Sequence, residues 1–172
     1  MSPRLRHRLM ILLTVLACVG CDQASKAVAQ RYLPQHDASY LGDSLRLVYA
    51  ENPGAFLSLG ATLAGNTRQW ILTVGASALL LGLIGALLIV PPVTAGTRMG
   101  LALMCGGGIG NLIDRWTHAG YVVDFLNVGV GSLRTGIFNG ADMALMLGTL
   151  LVVIDAYRVP TSGHGQIPSP RP

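Results

Sequence analysis

Three of the chain's eight acidic residues, Asp114, Asp124 and Asp142, fall within one stretch, GGIGNLIDRWTHAGYVVDFLNVGVGSLRTGIFNGAD, from Gly107 to Asp142. Each is flanked by apolar or small residues, and the stretch lies between two strongly apolar segments. Carboxylates where a chain meets lipid are costly unless they serve a purpose. Asp124 sits in Val122-Val123-Asp124-Phe125-Leu126, and apolar neighbours raise a carboxyl pKa by restricting solvent. Asp142 follows Asn139, a good helix N-cap, at the third position of the expected last helix. That spacing is a capping box, and the helix N-terminus favours an anion there. Two carboxyls in unlike environments, brought together, can share one proton. The ionised member then activates water and the protonated member polarises a carbonyl.

Simpler roles exist for the same residues. Asp142 alone serves as a capping residue. Asp124 alone could pair with Arg115 or Arg134. Asn111, Asp114 and Arg115 could form an interfacial anchor. The guanidinium of Arg115 also suits a substrate carbonyl or a lipid oxygen. If Asp114 only holds Arg115, its replacement by Asn is mild. Other chemistries have less behind them. The four histidines form no HExxH, so no metal is expected. Ser25 or Ser58 with Lys26 would make a Ser–Lys dyad, but no oxyanion-hole motif accompanies it. Cys18-x-x-Cys21 lies in an apolar run with no second ligand pair, so these cysteines read as small apolar residues.

The elements that must position these groups are apolar. The chain is 51% hydrophobic and 12% charged, with mean hydropathy +0.53; an ordinary soluble domain is about 25% charged. One domain, residues 1–158, is expected at this length. Its fold class is an all-α membrane protein with four transmembrane helices, at about 9–28, 69–90, 98–114 and 141–157. Trp70 to Val90 carries no charge and is the clearest span. Ser44 to Tyr49 alternates as a half-buried strand, Asn52-Pro53-Gly54 signals a turn, and Ala55 to Leu63 is a short interfacial element. Residues 159–172 are a disordered tail. Arg4, Arg6 and Arg8 put both termini and that tail in the cytoplasm. Asp22, Asn52, Asn111, Asp114, Arg115, Asp124, Asn139 and Asp142 then share one layer at the outer membrane boundary. Asp22 and Lys26, at i and i+4, lie on one helical face near it. The scattered arginines give no nucleic-acid footprint.

Two other classes fit parts of the chain. A small transporter would place its charges near the membrane midplane, whereas these lie at one end of the segments. A cleaved lipoprotein would be cut before Cys18 or Cys21, but it would not continue into three more apolar segments.

The motifs Asp22-Gln23-x-x-Lys26, Asn52-x-Gly54-Ala55, Gly107-x-x-x-Asn111-x-x-Asp114-Arg115, Val123-Asp124-Phe125 and Phe138-Asn139-x-Ala141-Asp142 occur in this order across the four apolar segments. This pattern resembles the lipoprotein signal peptidases, or signal peptidase II, over roughly residues 9–157. The resemblance implies a multi-pass enzyme of the bacterial inner membrane, with a small β-rich cradle and its active site at the periplasmic face. It implies an aspartic endopeptidase that needs no cofactor. Its substrates would be prolipoproteins, cut before a cysteine already carrying diacylglycerol, with membrane lipid around them. Asp124 and Asp142 match the family's catalytic pair. Asn111 and Arg115 match residues that line the site and contact substrate or its lipid. Asp22, Lys26, Asn52, Gly54 and Asn139 match residues that support or border it, and Asp114 lies within the same motif. The chain departs from the family at Pro53 to Leu57, where the aromatic comes one position early, and at Ser132 to Gly136, which lacks the usual aromatics.

Overall fold

The computed structural model describes residues 1–54, 67–68, 70–89 and 94–158. The expected interfacial element at 55–63 and the expected tail at 159–172 lie outside them.

Among the described residues, four helices carry the fold. Helix α1 spans Pro3–Tyr32, capped by the Ser2 hydroxyl, which accepts from Leu5 N. Its 30 residues make it about 45 Å long, so it exceeds the expected 9–28 span at both ends. It runs unbroken past Cys18 and Cys21. A wide turn, Trp70–Gly75, leads into α2, Ala76–Ile89. Helix α3 spans Ala95–Thr117, and α4 spans Gly140–Arg158. Among the described residues, three helical stretches, Leu5–Gln35, Trp70–Leu87 and Gly140–Arg158, are long and apolar enough to cross a membrane. Helix α3 packs against α1, α2 and α4, and its buried face is made largely of small residues: Gly100, Ala102, Cys105, Gly106, Gly107 and Gly110.

The glycines set how close α3 and α4 come. A Cβ on Gly100 would stand 2.6 Å from the carbonyl oxygen of Gly148, and one on Gly148 would stand 2.5 Å from that of Gly100. The two backbones therefore touch, as small residues allow when helices pack without water to drive them together. The side-chain neighbours fix direction. Gly100 faces Val152, Gly107 faces Leu145, and Gly110 faces Ala141, so α4 runs against α3. Gly106 lies against Cys18 and Gly110 against Asp22, so α1 runs with α3.

At the other end, Asp155 of α4 secures the start of α3. Its carboxylate accepts from the Thr94 hydroxyl, from Thr97 N at 3.0 Å and from the Thr97 hydroxyl. This places an anion at the end where free N–H groups and the helix dipole favour it.

Four strands form one antiparallel sheet in the order β1 (Ala38–Tyr40), β2 (Leu45–Asn52), β3 (Val122–Val130), β4 (Leu133–Arg134). The alternation at 44–49 thus marks a real strand, which continues to Asn52. The β1–β2 turn holds Leu41, Gly42 and Asp43 at positive φ. Asp43 accepts from Arg46 and Ser39, which hold its carboxyl below the usual carboxylate range. Arg134 reaches the same residue, donating to its backbone oxygen at 2.7 Å, and also donates to Asn127. The cradle's two hairpins are tied together in this way, and Arg134 is not available to Asp124.

Candidate active site

Asp124 is the third residue of β3, opposite Ala50 on β2. Strand side chains repeat by two, so Asn52 shares the face of Ala50 and stands diagonal to Asp124. Its amide donates to Asp124 Oδ2 at 2.8 Å. Asn52 Oδ1 accepts from Gly54 N at 2.8 Å, the Asx turn that Asn-Pro-Gly favours.

A short extended segment brings the second carboxyl to the first. Phe138 pairs with Leu126: Phe138 N donates to Leu126 O at 2.9 Å, and Leu126 N returns a bond of 2.8 Å to Phe138 O. The next residue, Asn139, is thereby laid beside Asp124 just as α4 begins. Asp142 N donates to Asn139 Oδ1 at 2.9 Å, and Asn139 N donates to Asp142 Oδ2 at 3.3 Å. This is the reciprocal capping box expected from the spacing. The same Asn139 amide donates to Asp124 Oδ1 at 2.7 Å. One side chain therefore caps the helix bearing Asp142 and holds Asp124. Asp142 is 3% exposed, Asp124 1% and Asn139 0%.

A second layer lies behind this pair. Asn111 donates to Asp142 Oδ1 at 2.9 Å and accepts from Lys26 Nζ at 3.0 Å. Lys26 also pairs with Asp22 at 2.8 Å and Asp114 at 2.9 Å. Asp22 Oδ1 accepts from Ala141 N at 2.9 Å, satisfying another free N–H of the α4 start. Gly110 makes room for it, since a Cβ there would stand 2.5 Å from Asp22 Oδ2. Arg115 donates to Gly54 O at 2.9 Å and Asn111 O at 3.3 Å. Its Nε is buried and has no partner among the described residues.

The ten residues singled out in the sequence, Asp22, Lys26, Asn52, Gly54, Asn111, Asp114, Arg115, Asp124, Asn139 and Asp142, thus form one connected buried network. Burial pushes the Asp124 carboxyl up to about 6, opposed by the donors Asn52 and Asn139 and assisted by the Asp142 charge.

Three alternatives raised by the sequence give way to this geometry. Asp124 pairs with neither Arg115 nor Arg134; amides hold it. Asp114 does not hold Arg115. It binds Lys26, accepts from Gln23 at 3.0 Å, and takes Val123 N at 3.0 Å, so it ties α1 and α3 to the strand carrying Asp124. The Lys26 ammonium is committed to two carboxylates, and Ser25 donates to Asp22 O, which leaves no Ser25–Lys26 dyad. Ser58 lies outside the described residues. Gln23, which lies in one of the motifs but outside the ten site residues, also donates to Asp22 and Gly110 O. Its spacing of three from Lys26 was the signal, since it puts both on one helical face.

The family model for signal peptidase (SPase) II matches residues 14–158. A lipoprotein signal peptidase of Moorella thermoacetica is 36% identical over 82% of this chain and 88% of its own length. One from Mycobacterium leprae is 33% identical over 86% of this chain and 72% of its own. The same fold occurs in a solved bacterial membrane enzyme with a TM-score of 0.76, at 21% identity over 92% of this chain and 94% of the other. With the family model covering most of its length and such relatives beside it, the chain belongs to the signal peptidase II family.

Proposed function

We propose that this protein is an aspartic endopeptidase of the bacterial inner membrane that removes signal peptides from prolipoproteins, cutting before a diacylglyceryl-modified cysteine. The family supports the processing of lipoprotein precursors. The observation that carries the aspartic chemistry is the single Asn139 side chain joining two buried carboxyls, Asp124 and Asp142.

In this reading the pair shares one proton. Asp142 lies on the first turn of α4 and accepts from Asn111 and Asn139 N, and the helix end adds to the bias toward its anion. Asp124, pushed up to about 6 by burial, carries the proton. Asp142 takes a proton from water as the water oxygen bonds to the scissile carbonyl carbon. Asp124 donates to the carbonyl oxygen. The tetrahedral adduct then collapses, the C–N bond breaks, and the proton held by Asp142 goes to the leaving amine. Proton return from the new carboxyl group restores Asp124. Arg115, with Nε unpaired among the described residues, has a donor left for a substrate carbonyl.

All four helices span the membrane in this reading, α3 included, because its neighbours on three sides shelter its small-residue face. Both termini and residues 159–172 are cytoplasmic, and the sheet and site lie at the periplasmic face. Residues 1–158 form one domain. The substrate's acyl chains stay in the bilayer while its peptide meets the aspartates.

Purified protein incubated in detergent with a lipidated and an unlipidated precursor, followed by mass spectrometry, tests the function. Cleavage before the lipidated cysteine alone is expected, and equal cleavage of both precursors rejects the substrate assignment.

A further inference from the structure

At the end of the bundle away from Asp124 and Asp142, α1 and α3 leave a groove of about 370 Å³ between them. Met10, Ile11, Met99 and Ala102 line its length, and Arg6, His7 and Arg98 line its end. The arrangement follows from helix geometry. Arg6 is one turn before Met10, and Arg98 precedes Met99, so the cationic groups gather where the helices begin and the apolar ones lie deeper. Among the described residues, the carboxylate at this end is Asp155, and it is engaged by Thr94 and Thr97. The groove's charge is therefore left for a ligand.

We propose that this groove is a binding site for an anionic phospholipid. The phosphodiester lies between Arg6 and Arg98, with His7 beside it, and one acyl chain runs along Met10, Ile11 and Met99. Charge complementarity selects this occupant. Residues 159–172 contain His164 and Arg171 and no acidic side chain, so the cationic mouth does not favour them. A zwitterionic lipid brings an ammonium toward the same arginines and gains less. The site is separate from the peptidase chemistry and involves none of its residues.

The test uses phosphatidylglycerol and phosphatidylcholine bearing the same diazirine acyl chain, each added to the full-length protein in phosphatidylcholine nanodiscs. After irradiation, labelled peptides are mapped by mass spectrometry. Phosphatidylglycerol is expected to label Met10–Thr14 and Met99–Ala102 about tenfold more than phosphatidylcholine, from two arginines near the headgroup. Arg6→Gln with Arg98→Gln should abolish that preference, and Arg6→Lys with Arg98→Lys should largely keep it. Labelling at Met146 and Leu150, exposed on α4, should stay constant and reports an inserted fold. If the Gln pair fails to insert, Met99→Trp, which fills the groove and keeps its charge, should displace the label instead. Equal labelling by the two lipids, a preference that survives the Gln pair or the Trp, or full competition by inorganic phosphate would each overturn the site.

Discussion

Lys26 reaches Asp142 through a single side chain: Asn111 accepts from the Lys26 ammonium and donates to the Asp142 carboxylate. The amide's two ends cannot be exchanged without setting its NH2 group against an ammonium. Lys26 therefore fixes which end faces Asp142. Lys26→Met should destabilise the protein by roughly 3–5 kcal/mol, because Asp22 and Asp114 then remain buried without their cation. Thermal unfolding in detergent measures this. An unchanged midpoint would show that the ammonium is not what holds α1 to α3.

Replacing either Asp124 or Asp142 by Asn should lower cleavage of a lipidated precursor by at least about a thousandfold, since an amide of the same size cannot pass the proton. Membrane insertion should be unaffected. Substantial turnover by either variant would remove the shared-proton mechanism. Infrared carboxyl bands assigned with the two variants locate the proton. A protonated Asp142 would keep the pair but reverse the roles proposed for its members.

Asn139 separates capping from catalysis. Asn139→Ser keeps an N-cap oxygen for Asp142 N, so stability should change by less than about 1 kcal/mol. It removes the donor to Asp124, and kcat should fall by one to two orders of magnitude, roughly the worth of a hydrogen bond to the carboxylate that Asp124 becomes on giving up its proton. Equal loss of stability and activity in Ser and Ala variants would make Asn139 a cap and nothing more.

Asp124 gives a pH dependence with a definite sign. Its folded-state pKa is raised from 3.8 to about 6, so the folded protein holds this proton more tightly than the unfolded chain. The associated stability is fully present below about 4 and is lost as pH rises through 6. The singly protonated pair fades over the same range, and kcat/KM should fall about tenfold per pH unit above it. The Lys26 charge lowers the Asp124 pKa, so Lys26→Met, where it folds, should move this limb to higher pH. A limb that stays in place would assign it to another group.

Asp114→Asn should cost about 2–3 kcal/mol, the value of weakened bonds to a charged partner. Only a role confined to holding Arg115 would make it mild, and Asp114 has other partners. A chain can place Asp114 and Arg115 side by side, but on a helix successive residues diverge by about 100°, and only i+3 and i+4 meet. The partners of Asp114 are Lys26, Gln23 and Val123 N, which no local spacing could reveal. The capping box at Asn139 and Asp142 and the pair at Asp22 and Lys26 were legible because each is set by helical periodicity. The helix at 141–157 and the strand at 44–49 were legible for the same kind of reason. What was not legible depends on contacts between distant segments. The Asn139–Asp124 bond needs the pairing of Phe138 with Leu126. The length of α1, which continues to Tyr32, depends on its polar last turns meeting α3 and the sheet.

The bond from Ala141 N to Asp22 spans 119 residues, and it bears on how the chain is made. Translation delivers α1 long before α4. When α1 leaves the ribosome, its aspartate has one nearby counter-charge, Lys26, a single turn ahead, and that i,i+4 pair accompanies the helix into the bilayer. The remaining acceptor atom of Asp22 stays open until the final helix is synthesised. Completion of α4 is thus also the step that fills the last open acceptor of Asp22.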